Sequence, residues 1–401
     1  MKTKRLLAAL TASALLATML AGCGGGGEEA SSNTETGGES AESTEVIKDV
    51  QVWATGSDNV RQVFEKLVDD FNTNSEYAGT YEANLNFILS GTGGGTLADQ
   101  LVAAYRAGQT TSEFDVSDLG DDDVTKILSL TDEDVLQDLD MSLIPNAASV
   151  TAEPVAAKGK LQPYRGTTVI LAYNSETVPE DEVPTTMDEL VEWIKAHPGR
   201  FAYNTPGTGG AGDSFVRTAI YNFIDDPSAL MSDDPKWEEQ WDEGFAFLKD
   251  LHPYMYKSGD TIVYPNKNQG TLDLLTQGEI DMCPNWADMV LSQRKAGTVP
   301  ENIKITTIEP SFTGSVQGIG IPAFSGNVPG AHAFINYVLS PEAQTILVQD
   351  MAAIPLVTDG VDLTGAEELM SMDVSSFRTQ ALGDLVTDLN ARWDEEIGTL
   401  G

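Results

Sequence analysis

The stretch that decides the fold is residues 46–71, VIKDVQVWATGSDNVRQVFEKLVDDF. Its first part, residues 46–54, alternates apolar and polar side chains, which predicts a strand. The part that follows, residues 58–71, places apolar side chains at helical spacing, with Asp58 as the expected N-cap. A strand followed at once by an amphipathic helix is the repeating unit of an α/β domain.

The alternation of strand and helix continues along the chain. After a second strand at residues 84–89, a glycine-rich loop at 90–96 leads into a helix at 97–107. A third strand begins at Phe114 and is followed by a helix near residues 122–130. Strands that alternate with helices predict βαβ units and a parallel sheet covered on both faces.

The pattern breaks at residues 162–166 and then resumes. Residues 167–173 form an extended β-branched run, and Thr186 with Glu189 is a capping box that opens a helix ending near Ala196. The later segments are a strand at 200–204, a glycine loop at 207–212, helices at 214–223, 235–251 and 270–277, a strand around Cys283, and helices from 286, at 331–339 and at 341–351. Because 401 residues exceed the usual limit of about 250–300 for one core, we expect two α/β lobes.

Composition disfavours several functions. The chain carries 62 acidic against 23 basic side chains and a formal charge of −39. Such a field argues against nucleic acid and anionic membrane surfaces as partners. The three histidines are not in metal-ligand spacing, so we expect neither a bound metal nor another cofactor.

The N-terminus has the pattern of a secretion signal at residues 1–22. Lys2, Lys4 and Arg5 precede an apolar run that is too short to span a bilayer. The Leu-Ala-Gly-Cys that ends at Cys23 resembles the lipobox of bacterial lipoproteins, which implies cleavage before Cys23 and thioether lipidation of that residue. An incidental cysteine at an ordinary cleavage site is the alternative. Residues 24–45 contain no Val, Ile, Leu or aromatic side chain, so we expect residues 23–45 to be a lipidated cysteine and a flexible acidic tether.

Two glycine loops each follow a predicted strand and precede a predicted helix. Residues 91–95 and 207–212 let a ligand approach the backbone closely, and the N–H groups of the next helix favour an anionic or polar group. Because open α/β sheets bind ligands at the carboxyl ends of their strands, we expect the loops to face each other across one cleft. Glycines that serve tight turns only are the alternative. Residues 207–212 also have the G-x-G-x-x-G spacing of a dinucleotide-binding turn, but no acid-ended strand follows.

Sequence templates for catalysis fail. The chain lacks the H-E-x-x-H, G-x-S-x-G and P-loop motifs. Asp121, Asp122 and Asp123 could serve glycoside hydrolysis, but paired acids are too frequent in so acidic a chain to indicate an enzyme. A secreted hydrolase acting on a glycoside or ester and a surface adhesin stay as alternatives. Cys283 is expected to be a buried small hydrophobe rather than a nucleophile.

Two segments carry a family resemblance. Residues 161–184, LQPYRGTTVILAYNSETVPEDEVP, resemble the hinge crossing of extracellular solute-binding proteins of ABC importers (family 1), and residues 318–344 resemble their C-terminal signature more closely. Residues 197–217 are similar to the YnjB-like branch of that family. The resemblance implies an α/β, periplasmic-binding-protein-like fold of type II, with the ligand cleft between two lobes. Lobe 1 would comprise 46–166 plus 314–350, and lobe 2 would comprise 167–313 plus 351–401.

The function we predict from the sequence is capture of a small solute and its delivery to ABC permease subunits, without catalysis. We expect a monomer held to the membrane through its N-terminal lipid alone. Arg165 beside two helix N-termini would suit a carboxylate or phosphate, whereas Asp118 and Asp121 with the tryptophans would suit a cation, and the sequence does not choose. The expected ligand-binding residues are Trp53, Ser57, Ser90, Thr92, Gly93, Gly94, Asp118, Asp121, Tyr164, Arg165, Thr208, Gly209, Gly210, Asp213, Asn285 and Trp286. For each aromatic residue, packing inside a lobe is the alternative to stacking on a solute.

Overall fold

The structure of the chain is a computed structural model, and it describes residues 48–90, 95–109, 113–130, 135–150, 152–153, 159–371 and 377–400. The predicted signal peptide, Cys23 and the predicted tether lie outside these residues. The strands are β1 (Lys48–Gly56), β2 (Tyr81–Leu89), β3 (Val116–Leu119), β4 (Leu161–Asn174), β5 (Lys257–Ser258), β6 (Thr261–Ile262), β7 (Met282–Trp286), β8 (Ile303–Thr306), β9 (Gly314–Gly320) and β10 (Ile354–Pro355). The helices are α1 (Asp58–Thr73), α2 (Leu97–Arg106), α3 (Asp121–Leu130), α4 (Met187–Ala196), α5 (Gly210–Tyr221), α6 (Asp242–Leu251), α7 (Lys267–Thr276), α8 (Ala287–Lys295), α9 (Val328–Val338), α10 (Pro341–Ile346), α11 (Glu367–Met370) and α12 (Leu385–Glu396). In this part of the chain we find no helix with the length and apolar character that crossing a membrane requires.

β4 is the strand that connects the two parts of the fold. Its first half, up to Thr168, pairs antiparallel with β9, and its second half, from Val169, pairs antiparallel with β7 and β8. β9 also pairs with β3, and the main sheet has the order β10-β4-β9-β3-β1-β2. A single strand therefore belongs to both groups of strands.

The expectation of a parallel sheet is correct for one part of the fold and wrong for the rest. β1 lies parallel to β2 and β3, as the βαβ pattern predicts. β9 is antiparallel to β3 and β4, and β7 and β8 are antiparallel to β4. These strands return from distant parts of the sequence rather than through one crossover helix, so the right-handed parallel crossover does not fix their direction.

The predicted break at residues 162–166 is also wrong, because β4 runs through it. The register of the β4–β9 pairing shifts between Pro163 and Arg165. A proline has no N–H to donate to the ladder and is tolerated at such an irregularity. The local sequence signal marks a bulge in a continuous strand.

Other element boundaries differ from the predicted ones. α1 has Ser57 as its N-cap, and Asp58 is its first helical residue. α5 begins at Gly210, inside the glycine loop rather than after it. The expected strand at 200–204 is reduced to isolated bridges of Phe201 to Met255 and Met282, and no continuous ladder forms there.

Separate hydrophobic cores form around the two groups of strands. Around β1 and β9, helices α1 and α9 contribute buried aromatic side chains that include Phe64 and Phe334. Around β7 and the second half of β4, helices α5 and α12 contribute others that include Phe215 and Trp393. Burial of each such side chain stabilises the fold by roughly 1.5–3 kcal/mol, so each group of strands has a core of its own.

Cys283 lies in a further buried cluster on β7. Its side chain has no solvent exposure and packs among Ile170, Leu272 and other apolar residues. Burial raises the pKa of the thiol to about 12. The prediction of a buried small hydrophobe is confirmed.

Candidate functional site

A cavity of about 280 Å³ opens where strands end and helices begin. This volume lies just below the usual range of small-molecule pockets, about 300–1,000 Å³, so a single compact solute fits it. The residues that line it are Thr55, Gly56, Ser57, Val60, Ser90, Gly120, Asp121, Asp122, Asp123, Arg165, Thr167, Gly210, Asp213, Arg217, Asn268, Trp286, Asp288, Thr313, Gly314, Gln317 and Gln380.

Helices α1, α3, α5 and α8 all begin at the wall of this cavity. A helix N-terminus leaves N–H groups without intrahelical partners and carries a partial positive charge. In each of these helices an aspartate occupies the first turn: Asp58, Asp121, Asp213 and Asp288 respectively. Carboxylates of the chain itself therefore already compensate the positive helix ends.

The start of α5 is held by side chains from outside the glycine loop. The Gly212 N–H donates to Asn204 Oδ1 at 2.8 Å, and the Ala211 N–H donates to Asn268 Oδ1 at 3.1 Å. These two asparagines satisfy the N–H groups that a first turn leaves free, so the helix can begin among glycines despite their low helix propensity.

Two glycines at this helix start are required by close packing. A Cβ on Gly212 would lie 1.9 Å from the carbonyl oxygen of Asn204, and one on Gly210 would lie 2.8 Å from the ring of Trp286. The bare backbone of Gly210 therefore lets the indole of Trp286 lie against the first turn of α5. The glycine loop is thus a packing device as well as part of the cavity wall.

A hydrogen-bonded chain of three side chains forms the floor beneath the cavity. The Tyr164 hydroxyl donates to Asp118 Oδ1 at 3.0 Å, and Arg165 Nε donates to the Tyr164 hydroxyl oxygen at 2.9 Å. All three residues are buried. Burial raises the pKa of Asp118 to about 6, although the positive charge of Arg165 and the Tyr164 hydrogen bond oppose the rise. Burial lowers the pKa of the Arg165 guanidinium, but Tyr164 and Asp118 raise it by more, so Arg165 stays charged.

The lining of the cavity is predominantly acidic. Asp121, Asp122, Asp123, Asp213 and Asp288 stand against Arg165 and Arg217. Arg217 Nη1 donates to Asp122 Oδ2 at 2.7 Å, and the Leu382 N–H donates to the other oxygen of Asp122 at 2.9 Å. The positive charge of Arg217 is therefore committed to a carboxylate of the wall.

Burial shifts the pKa of several of these carboxyl groups upward. The pKa of Asp123 is raised to about 7 by burial, with the neighbouring charges of Asp122 and Asp118 adding to the rise and the Gly120 N–H opposing it. Burial also raises the pKa of Asp213 and of Asp288, against the charges of Arg217 and Arg165 respectively. Desolvation is the largest cause of all three shifts, and it disfavours the charged form of each carboxyl group.

Asp288 is a buried acid of this wall with a hydrogen-bonding atom left over. It is 7% exposed, and its Oδ2 accepts a hydrogen bond from Asn59 Nδ2 at 3.1 Å. Its Oδ1 has no hydrogen-bond partner among the described residues. Gln380 is similar, because it is 6% exposed and neither its amide oxygen nor its amide nitrogen has a partner within the described ranges.

The structure brings many of the sequence-predicted site residues to this cavity. Those that line it are Ser57, Ser90, Asp121, Arg165, Gly210, Asp213 and Trp286. Asp118 and Tyr164 lie beneath it in the floor described above. Asn285 is fully buried and donates through Nδ2 to the carbonyl of Asn268, a lining residue, at 3.1 Å. These placements make the residues candidates, and their roles in binding stay a prediction.

Other predicted residues lie outside the cavity lining. Trp53 stacks on Phe114 with ring centroids 4.5 Å apart, and its Nε1 donates to the Glu113 carbonyl at 2.5 Å. Thr208 accepts a hydrogen bond from the Lys267 N–H at 2.9 Å and borders a second depression between α1, α7 and α8. Gly209 packs against Asn268, where a Cβ would lie 2.5 Å from Oδ1. Thr92, Gly93 and Gly94 fall outside the described residues.

Sequence reasoning missed several lining residues. Asp288 lies two residues beyond Trp286, and Arg217 lies one helical turn beyond Asp213, so position after a strand end or on a helix face could have indicated both. Asn268 lies in the first turn of α7, a helix whose start sequence periodicity placed too late, at residue 270. Gln380 lies in an irregular segment before α12, and no local pattern indicates it.

The fold and the cleft define a class: this is a periplasmic-binding-protein-like chain of type II, as expected from the sequence. A family model described as bacterial extracellular solute-binding protein matches residues 66–374, and the chain belongs to this family. Protein YnjB of Escherichia coli (strain K12) is 25% identical over 193 residues, which cover 47% of this chain and 48% of YnjB. The match thus spans about half the length of that curated relative.

Solved structures show the same fold at low sequence identity. A putative extracellular solute-binding protein from Bordetella parapertussis has a TM-score of 0.63 and 17% identity, covering 86% of this chain and 98% of that one. The Trichodesmium protein IdiA (FutA), in complex with iron and citrate, has a TM-score of 0.61 and 15% identity, with the same coverage. The spermidine/putrescine substrate-binding protein PotD from Streptococcus pneumoniae has a TM-score of 0.60 and 15% identity, covering 86% of this chain and 99% of that one. The recognition of the family from residues 161–184 and 318–344 is confirmed.

Proposed function

We infer that this protein captures a small solute in the cleft and delivers it to the permease of an ABC importer without changing it chemically. The observation that carries this function is the cavity itself, whose wall is built from helix N-termini attached to both hydrophobic cores. Family membership supports the same function, because the matched family consists of extracellular solute-binding proteins.

Capture would proceed by closure of two lobes about a hinge. The lobes would be residues 46–166 plus 314–350 and residues 167–313 plus 351–401, with the chain crossing between them inside β4 and again just before β9. Two contacts across the cleft support this division: Arg217 with Asp122, and Asn59 with Asp288. The closed form is favoured only by interaction free energy that the open form lacks. A solute that contacts both lobes at once adds such free energy and would therefore favour closure.

The chain would be held at the outer face of the membrane by a lipid on Cys23, with residues 24–45 as the tether. The support is the basic and apolar sequence before Leu-Ala-Gly-Cys. Replacement Cys23→Ser should release the protein from the membrane fraction and abolish incorporation of a labelled fatty acid. Retention of both label and membrane association in that variant would contradict the anchor while leaving solute capture unaffected.

A thermal-shift screen of the purified protein against a solute library tests the proposed function. A saturable rise in melting temperature with the solute recovered unchanged is the expected result, since a ligand that binds only the native state stabilises it. X-ray scattering should then show a smaller radius of gyration in the presence of that solute. Consumption of the solute would favour the secreted hydrolase instead.

A further inference from the structure

The charge of the cavity wall contains information about the solute that the fold alone does not provide. Solved structures of this fold hold chemically different ligands: iron with citrate in one, and fructose 6-phosphate in another. The ligand class must therefore come from the side chains of this chain. Five aspartates line the cavity against two arginines.

Both arginines already have partners. The charge of Arg217 is paired with Asp122 at 2.7 Å, although its Nε has no hydrogen-bond partner among the described residues, and Arg165 donates to Tyr164 beside the buried carboxyl group of Asp118. The helix N-termini, which favour anions in many proteins, each have an aspartate in the first turn. An anionic solute would thus enter a wall whose positive charges are compensated and would meet desolvated carboxylates.

Asp288 and Gln380 are buried side chains of the wall with hydrogen-bonding capacity left over. The Oδ1 atom of Asp288 and both polar atoms of Gln380 have no partner in the part of the chain that the structure describes, although both residues are more than nine-tenths buried and line the cavity. A buried carboxylate oxygen without a donor is unfavourable, and a cationic N–H group is the donor that would stabilise it most. The ring of Trp286 lies in the same wall and can contact the apolar or cationic part of an amine.

We propose that the solute of this cleft is a small organic cation with a protonated amine or guanidine group, for which Asp288 is the counter-ion and Gln380 a second hydrogen-bonding group. The inference rests on the proposed function and names its ligand class. The cavity volume of about 280 Å³ fits an organic molecule rather than a bare ion.

Calorimetric titration of the purified protein with a charge-sorted panel tests this ligand class. The cations are putrescine, spermidine, agmatine and choline; the anions are citrate and fructose 6-phosphate; glucose is the neutral probe; and calcium and ferric ions are the metal probes. We expect saturable binding of at least one organic cation and no binding of the others. Failure of every organic cation to bind overturns the ligand class, as does tighter binding of an anion, of glucose or of a metal ion.

A pair of matched variants locates the counter-ion. Asp288→Asn keeps the shape and the acceptor for Asn59 but removes the charge, and it should weaken binding of the organic cation about 100-fold. Asp188→Asn removes an exposed aspartate from the same second position of another helix, α4, and should change the dissociation constant less than about threefold. Equal effects of the two substitutions would overturn the role of Asp288.

The second hydrogen-bonding group is tested separately. Gln380→Met should weaken binding about tenfold without unfolding the protein, and unchanged binding would remove Gln380 from the proposal. The outcomes also separate this proposal from the proposed function. Saturable, unreactive binding of an anion or a sugar would leave solute capture intact and refute only the ligand class, whereas chemical conversion of any bound probe would refute solute capture itself.

Discussion

Gln380 and Gln344 are both buried but differ in their hydrogen bonds. Replacement of each by methionine should therefore change the stability of the protein in opposite directions. Methionine has nearly the same shape as glutamine but forms only weak hydrogen bonds. Gln344 is fully buried, and its Nε2 donates to the carbonyl oxygens of Tyr164 and Val338, both at 2.9 Å. Its Oε1 has no partner among the described residues, so the two glutamines differ at the amide nitrogen. Gln380 is buried with neither amide atom partnered among the described residues.

The expected magnitudes follow from these bonds. Gln344→Met leaves two carbonyl groups without their donor, which should lower the free energy of unfolding by about 2–4 kcal/mol. Gln380→Met removes a buried polar group that has no partner in the free protein, which should raise it by about 1–3 kcal/mol. For a compact unit of roughly 360 residues, 1 kcal/mol corresponds to about 1.3 °C in melting temperature.

Differential scanning calorimetry of the two variants and the parent protein, without added solute, measures both shifts. We expect melting temperature to fall by about 3–5 °C for Gln344→Met and to rise by about 1–4 °C for Gln380→Met. A fall for Gln380→Met comparable with that of Gln344→Met would refute the reasoning. It would mean that the Gln380 amide has a structural partner in the folded protein and is not held for a solute.

Three further predictions concern the floor, the glycine loop and the ion pair of the wall. The pKa of Asp118 is about 6 against an ordinary 3.8, so the native protein binds this proton more tightly than the unfolded chain does. Relative to Asp118→Asn, the parent protein should therefore lose up to about 3 kcal/mol of stability, measured by urea unfolding, as pH rises from 4 through 6. A pH-independent difference between the two proteins would contradict this. Gly212→Ala should destabilise the protein strongly, and Gly210→Ala should alter the fluorescence of Trp286. The control is Gly95→Ala, whose Cβ would meet nothing closer than 3.6 Å. Equal effects of the three substitutions would argue against close packing at the start of α5. Asp122→Asn should lower the unfolding free energy by about 3 kcal/mol because it removes the hydrogen-bonded carboxylate of the mostly buried Arg217, while Asp250→Asn in an exposed pair with Lys195 should cost less than about 1 kcal/mol. The reverse order in denaturant unfolding would refute the assignment.

The sequence was sufficient for the alternation of elements around β1 to α3 and for the family. Strong periodicity fixed these elements because each of them buries one face in a core. The strand-end rule also located Asp213 and Trp286 at the cavity wall, since strand ends converge at one edge of a sheet. Arg165 lies inside β4 and was indicated by the family resemblance instead.

What the sequence could not supply depends on contacts between distant residues. α5 begins at Gly210 because Asn204 and Asn268 satisfy its first N–H groups, which local helix propensity does not predict. β4 continues through Pro163 because β9 accommodates a register shift there. Trp53 follows the predicted alternation, but only the position of Phe114 decides that the two rings stack.

The position of β9 has a consequence for the order in which the chain can complete its structure during synthesis. Residues 314–320 lie between β3 and β4, two strands made much earlier. Until β9 emerges from the ribosome, the facing edges of those two strands have no partner, and unpaired edges are prone to pair with other chains. A polypeptide that stops before residue 314 should therefore aggregate rather than form a stable half of the molecule.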